Sequence, residues 1–193
     1  MQAKLRVGVF CGARSGDDAR WLELAREFGA GAARLGFELV YGGGGIGMMG
    51  ALADGALGAG GAVVGVIPAR LMQRELAHRG VQRMEVVVDM AVRKQRMIAL
   101  SDAFVALPGG LGTLDELFEV LTLRQIGEHS KPILLLNEAS YWQPLLLACE
   151  ALAAAGFVSR RDLDALQVVA GASEALSALG ALGAAGAAGA GIA

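Results

Sequence analysis

The run Pro108-Gly109-Gly110-Leu111-Gly112-Thr113-Leu114-Asp115-Glu116 brings two kinds of chemistry into one short stretch. Glycines let a backbone turn sharply and carry bare N–H groups close to an anion. The run opens a segment in which Leu114, Leu117, Phe118, Leu121 and Leu123 recur at amphipathic helical spacing, with Thr113 placed to cap it. A helix start favours negative charge, so these features suit a phosphate. Two carboxylates, Asp115 and Glu116, follow within what reads as the first turn. A plain phosphate cradle gains nothing from an acid beside its ligand. An enzyme that grips a phosphate and polarises the atoms next to it does, which makes Glu116 a candidate acid–base or charge-stabilising group.

Two other strand-to-helix junctions and one helix carry unusual residues. In Cys11-Gly12-Ala13-Arg14-Ser15-Gly16, Arg14 is suited to a phosphate, and Ser15 to the ligand or, like Asp17, to capping the next helix. Tyr41-Gly42-Gly43-Gly44-Gly45-Ile46-Gly47-Met48-Met49-Gly50 satisfies the spacing G-x-G-x-x-G, and Gly43 and Gly44 are the positions where a ligand can approach the backbone. A dinucleotide fold also needs an acid at the end of the next strand, and here that strand ends Val66-Ile67-Pro68, which argues against NAD or FAD. In Met90-Ala91-Val92-Arg93-Lys94-Gln95-Arg96-Met97, Arg93 offers a planar fork for a phosphate or carboxylate. Met90 or Met97 can pack on a flat base, the alternative being a solvated basic face with methionines in the core. No Gly-Lys-Ser/Thr triplet, G-x-S-x-G elbow or H-E-x-x-H pattern occurs. His78 and His129 are isolated and read as surface residues, and Trp21 and Trp142 read as packing residues. No metal or cofactor is expected.

The elements that must position these groups alternate strand and helix. Strands are predicted at Leu5–Phe10, Phe37–Tyr41, Ala62–Ile67, Met84–Val88, Ala103–Leu107, Pro132–Leu136 and, more weakly, Leu166–Val169. Helices are predicted at Asp17–Leu35, Gly47–Gly60, Met90–Ser101, Thr113–Gln125, Tyr141–Ala155 and Ala172–Leu182. Continuous Val/Ile/Leu runs are those of a parallel sheet buried on both faces. The order implies an α/β fold: a doubly wound, Rossmann-like parallel sheet in a three-layer sandwich, with ligands beyond the carboxyl ends of the strands. At 193 residues and 54% apolar content, one domain is expected over 1–179, followed by a frayed Gly/Ala-rich flexible tail, 180–193. A formal charge of −2 with interspersed signs argues against a nucleic-acid partner. No segment reads as a membrane helix or signal peptide, and Cys11 and Cys149 read as buried free thiols of a cytoplasmic protein.

Taken together, YGGGGIGMMG at 41–50, MAVRKQRM at 90–97 and PGGLGTLDE at 108–116 resemble the LOG ("Lonely Guy") family of cytokinin riboside 5′-monophosphate phosphoribohydrolases, often mislabelled lysine decarboxylases. The similarity runs from about Val7 to Leu147. Leu111 stands where an aromatic is common and Asp115 where Glu is common. The resemblance implies hydrolysis of the N-glycosidic bond of an N6-substituted adenosine monophosphate, giving free base and ribose 5-phosphate. It implies Glu116 and Arg93 as the catalytic pair, and Glu75, Lys94, Gly109, Gly110, Leu111, Gly112, Thr113, Leu114, Asp115 and Thr122 as substrate contacts. It also implies a homodimer whose interface helps build the pocket. The competing reading is a nucleotide-binding or carrier protein that uses the glycine loops and ignores Glu116. Decarboxylation through pyridoxal phosphate needs a lysine Schiff base, and of Lys4, Lys94 and Lys131 only Lys94 lies in a motif.

Overall fold

The computed structural model of the chain describes residues 4–72 and 76–189, with side chains as far as 184. Strands β1 (Arg6–Phe10), β2 (Glu38–Tyr41), β3 (Ala62–Pro68), β4 (Arg83–Val87), β5 (Ala103–Ala106), β6 (Ile133–Leu136) and β7 (Leu166–Val169) form one sheet. Its order is β4-β3-β2-β1-β5-β6-β7, and every pairing is parallel. Alternate residues feed opposite layers, as the pleat requires. Leu39, Tyr41, Val63, Val105 and Leu134 pack against α1 (Arg20–Arg34), α2 (Gly47–Gly58) and α8 (Ala172–Gly189) through Leu24, Phe28, Leu52 and Leu179. Val40, Val64, Phe104, Ala106 and Leu135 face α4 (Met90–Leu100), α5 (Leu111–Gln125) and α6 (Gln143–Ala154) through Met97, Leu100, Leu117 and Val120. The result is the expected three-layer, doubly wound sandwich.

The winding sets the site. The chain steps outward from β1 to β4 on one side, then returns to place β5 on the other side of β1. Connections leaving β1 and β5 therefore diverge to opposite faces, and a crevice opens beyond their carboxyl ends.

Several predicted boundaries move, each for a local reason. The first long helix starts at Arg20 instead of Asp17; neither Ser15 nor Asp17 caps it, and the Asp18 carboxylate instead accepts from the Arg20 N–H at 2.9 Å. Helix α5 begins at Leu111, two residues before the expected Thr113, because extended Gly110 occupies the N-cap position. The helix expected to end at Leu182 continues to Gly189, so residues 180–189 of the expected frayed tail are helical. Alanine's helix propensity carries that stretch through its glycines; residues 190–193 lie outside the described part. Two short helices, α3 (Ala69–Met72) and α7 (Arg160–Asp164), and a 3₁₀ turn over Glu138–Ser140 have no counterpart in the sequence reading. Among the described residues no helix is long and apolar enough to cross a membrane.

Candidate active site

The crevice is a cleft of about 880 Å³ lined by the ends of β1, β2, β3 and β5 and the connections that follow them. Helix α4 starts cleanly because the Asp89 side chain accepts from the Val92 N–H at 2.9 Å. One turn in, Arg93 reaches across the sheet edge. Its Nε donates to the Val66 carbonyl at 3.0 Å and its Nη1 to Glu116 Oε1 on α5 at 2.8 Å. Both side chains are buried, each residue 7% exposed, and both line the cleft. Burial pushes the Glu116 carboxyl up to about 6, with Arg93 as the main opposing influence. A desolvated charge of this kind persists only with a partner of good geometry. Gly42 makes room for the pair: a Cβ there would lie 1.9 Å from Arg93 Nη2.

The loop after β5 brings a tight glycine turn and a helix start to the same cleft. Gly12 N–H donates to the Pro108 carbonyl at 3.1 Å, joining the connections that leave β1 and β5. Gly109 packs so closely that a Cβ would meet Thr113 Oγ1 at 2.1 Å. The N–H groups at the start of α5, on Leu111, Gly112 and Thr113, have no acceptor within their own helix. Glu116 lies six residues beyond the Gly110 cap, a rise of about 9 Å at 1.5 Å per residue. Both acids therefore sit beyond the first turn, contrary to the expectation from sequence.

Of the candidate ligand contacts, Gly44, Gly109, Gly110, Leu111, Gly112 and Thr113 line the cleft beside Arg93 and Glu116. Thr113 is buried inside the helix and does not cap it. Lys94, Leu114, Asp115, Thr122, Ser15, Gly43 and Met97 lie outside the lining, and Glu75 lies outside the described residues. Lys94 Nζ instead bridges Asp115 at 2.9 Å and Glu119 at 2.7 Å, which hold its ammonium charged. Met97, expected against a base, is fully buried in the core, whereas Met90 reaches the cleft from the first turn of the same helix. The Gly43 carbonyl accepts from His78 N–H at 3.0 Å, tying the segment that contains Leu76 over the glycine loop.

The cleft also holds residues that the sequence did not assign to it: Trp21, expected only to pack, Cys11, expected only as a buried thiol, and Tyr141. Trp21 of α1 and Tyr141, which follows β6, meet edge to face with centroids 5.3 Å apart and form one wall. Both follow carboxyl strand ends, so the rule that ligands gather there was the available signal. Cys11 lies in the floor, a free thiol pushed up by burial and by the nearby Glu116 charge. His78 and His129 are half-buried and not on the surface: His78 contacts Asp54 at 3.0 Å, and His129 packs on the Phe104 ring. Among the described residues no group of His, Cys, Asp and Glu is arranged to hold a metal.

A family model described as "Possible lysine decarboxylase" matches residues 49–179. A cytokinin riboside 5′-monophosphate phosphoribohydrolase of Rhodococcoides fascians is 49% identical over 154 residues, 79% of this chain and 78% of that protein. The chain belongs to the LOG family. A LOG enzyme of the same name from Arabidopsis thaliana is 44% identical over 80% of this chain and 72% of its own length. A molybdenum cofactor binding protein of Rippkaea orientalis shares the LOG fold, with a TM-score of 0.73 over 94% of this chain and 99% of that one, at 22% identity. The decarboxylase description of the family does not fit the residues present. A Schiff base needs a neutral lysine amine in the cleft, and no lysine lines it. Lys94 is held charged by two carboxylates, and Lys131 Nζ donates to the Ile98 carbonyl at 2.7 Å.

Proposed function

We propose that the protein hydrolyses the N-glycosidic bond of N6-substituted adenosine 5′-monophosphates to a free base and ribose 5-phosphate. The observation that carries this reading is the buried carboxylate of Glu116, the one buried acid among the described residues, paired with Arg93 in the cleft and offset along α5 from the glycine loop. The 5′-phosphate sits on the N–H groups of Gly110 to Thr113, which places the sugar toward Glu116. As the C1′–N bond breaks, positive charge develops on the ribosyl carbon, and the Glu116 carboxylate stabilises it or takes the proton of the attacking water. Water's oxygen bonds to C1′, and the leaving ring nitrogen ends with a proton. Arg93 keeps Glu116 ionised and fixed. Of the apolar side chains lining the same cleft, Ile46, Met49, Ile67, Leu71, Leu76 and Met90 are the ones suited to receive the N6 chain.

The same reading includes a homodimer with the pocket near its interface, a cytoplasmic location consistent with free buried thiols, and one catalytic unit spanning 1–179. Its test is chromatography of released base from isopentenyladenosine 5′-monophosphate, the riboside, the triphosphate and AMP. Losing charge-assisted contacts to the phosphate should leave the riboside with kcat/KM lower by ~10–100-fold. Tight binding of monophosphates without base release overturns the reading and favours a carrier. Gly42→Ala is expected to displace the Arg93 guanidinium and lower kcat/KM by about 10²-fold, measured by the same assay.

A further inference from the structure

Three consecutive carbonyls border the anion-binding loop, and an anion site requires them to point elsewhere. The Pro108 carbonyl is taken by Gly12 N–H at 3.1 Å, and the Gly110 carbonyl by Leu114 N–H at 3.1 Å as α5 begins. The Gly109 carbonyl is held by a side chain, the Tyr141 hydroxyl, which donates to it at 2.8 Å. The peptide plane that carries this carbonyl lies between Gly109 and Gly110, so no Cβ on either side opposes its rotation. Rotated, the plane would turn a carbonyl oxygen toward the bound phosphate and turn the Gly110 N–H away.

The approach of Tyr141 is built with some care. Ala139 and Ser140, immediately before it, both adopt left-handed backbone, with φ of 50° and 59°. Non-glycine residues hold that conformation only where surrounding structure imposes it. The Trp142 N–H donates to Asn137 Oδ1 at 2.7 Å, closing the turn, and the Tyr141 ring is gripped edge-on by Trp21 and Trp142 at centroid distances of 5.3 and 4.8 Å. The whole connection after β6 thus delivers one hydroxyl to one carbonyl.

We propose that Tyr141 is a positioning residue for phosphate recognition: its hydroxyl locks the Gly109–Gly110 peptide in the orientation that presents N–H groups to the 5′-phosphate. The proposal rests on the reading that a nucleoside 5′-monophosphate occupies the cleft, and it does not require that the nucleotide be cleaved. Its test is Tyr141→Phe, which keeps the ring and its packing. Binding of AMP and of adenosine is measured by calorimetry, alongside KM and kcat for base release. One neutral hydrogen bond corresponds to an expected rise of about three- to tenfold in Kd for AMP and in KM for the monophosphate substrate. Adenosine affinity and kcat should change by less than that rise. Unchanged AMP affinity, or an equal loss for AMP and adenosine, overturns the assignment. Because binding is read independently of turnover, absence of base release from the wild-type protein would refute the proposed hydrolysis without touching this result.

Discussion

Glu116→Gln is expected to lower kcat by about 10²–10⁴-fold, the usual worth of a positioned acid–base group, and to leave the fold intact. The amide is isosteric and retains an oxygen that can accept from Arg93 Nη1, so the buried contact at 2.8 Å survives in form. What disappears is the negative charge that the proposed reaction sets against C1′. Since the phosphate loop is untouched, AMP should still bind with near wild-type affinity, and the loss should fall on kcat. Circular dichroism and calorimetric binding check the fold and the ligand; base release checks the chemistry. A variant with more than a tenth of wild-type kcat would remove Glu116 from the reaction.

Arg93→Ala carries the second large effect, and it has two parts. Deleting one member of a buried ion pair strands the other, which costs about 3–5 kcal/mol of stability. Arg93 is also what opposes the upward push of burial on Glu116, so its loss raises that carboxyl above about 6. In the wild type, kcat/KM should fall as pH drops through about 6 and Glu116 takes up a proton. In Arg93→Ala this acid limb should move upward by about 1–3 pH units. The sign for stability follows from linkage: a carboxyl whose pKa is raised on folding favours the fold when protonated, an advantage lost as pH rises through the folded value. The destabilisation of Arg93→Ala should therefore be smaller in acid, where Glu116 is neutral, than at alkaline pH. Thermal melts across the range measure it.

The sheet and the glycine loops were legible in the sequence because their physical demands are local, whereas the pairing of Glu116 with Arg93, which lie on different helices, was implied only by the family resemblance. Apolar runs of strand length, glycines at tight turns and charges inside motifs each constrain residue type at known spacing. Met97 was misplaced because helical periodicity identifies a face but not depth along the axis: Met90 and Met97 share a face, yet α4 runs from the cleft into the core. The capping role given to Thr113 failed because Gly110, without a side chain to signal it, takes the cap. Trp21 and Tyr141 are distant in sequence and meet only through the strand order, which brings the connections after β1 and β6 to one rim. Lys94 sat inside a catalytic-looking motif, but its carboxylate partners, including Glu119, lie on another helix.

The Arg93–Glu116 contact also joins the two windings of the chain, since α4 precedes β5 and α5 follows it. A chain severed between Leu100 and Ala103 would carry the guanidinium in one fragment and the carboxylate in the other. Neither piece alone could assemble the charged couple, and turnover would return only on complementation. Catalysis in such a split protein becomes a direct reporter of how the halves dock.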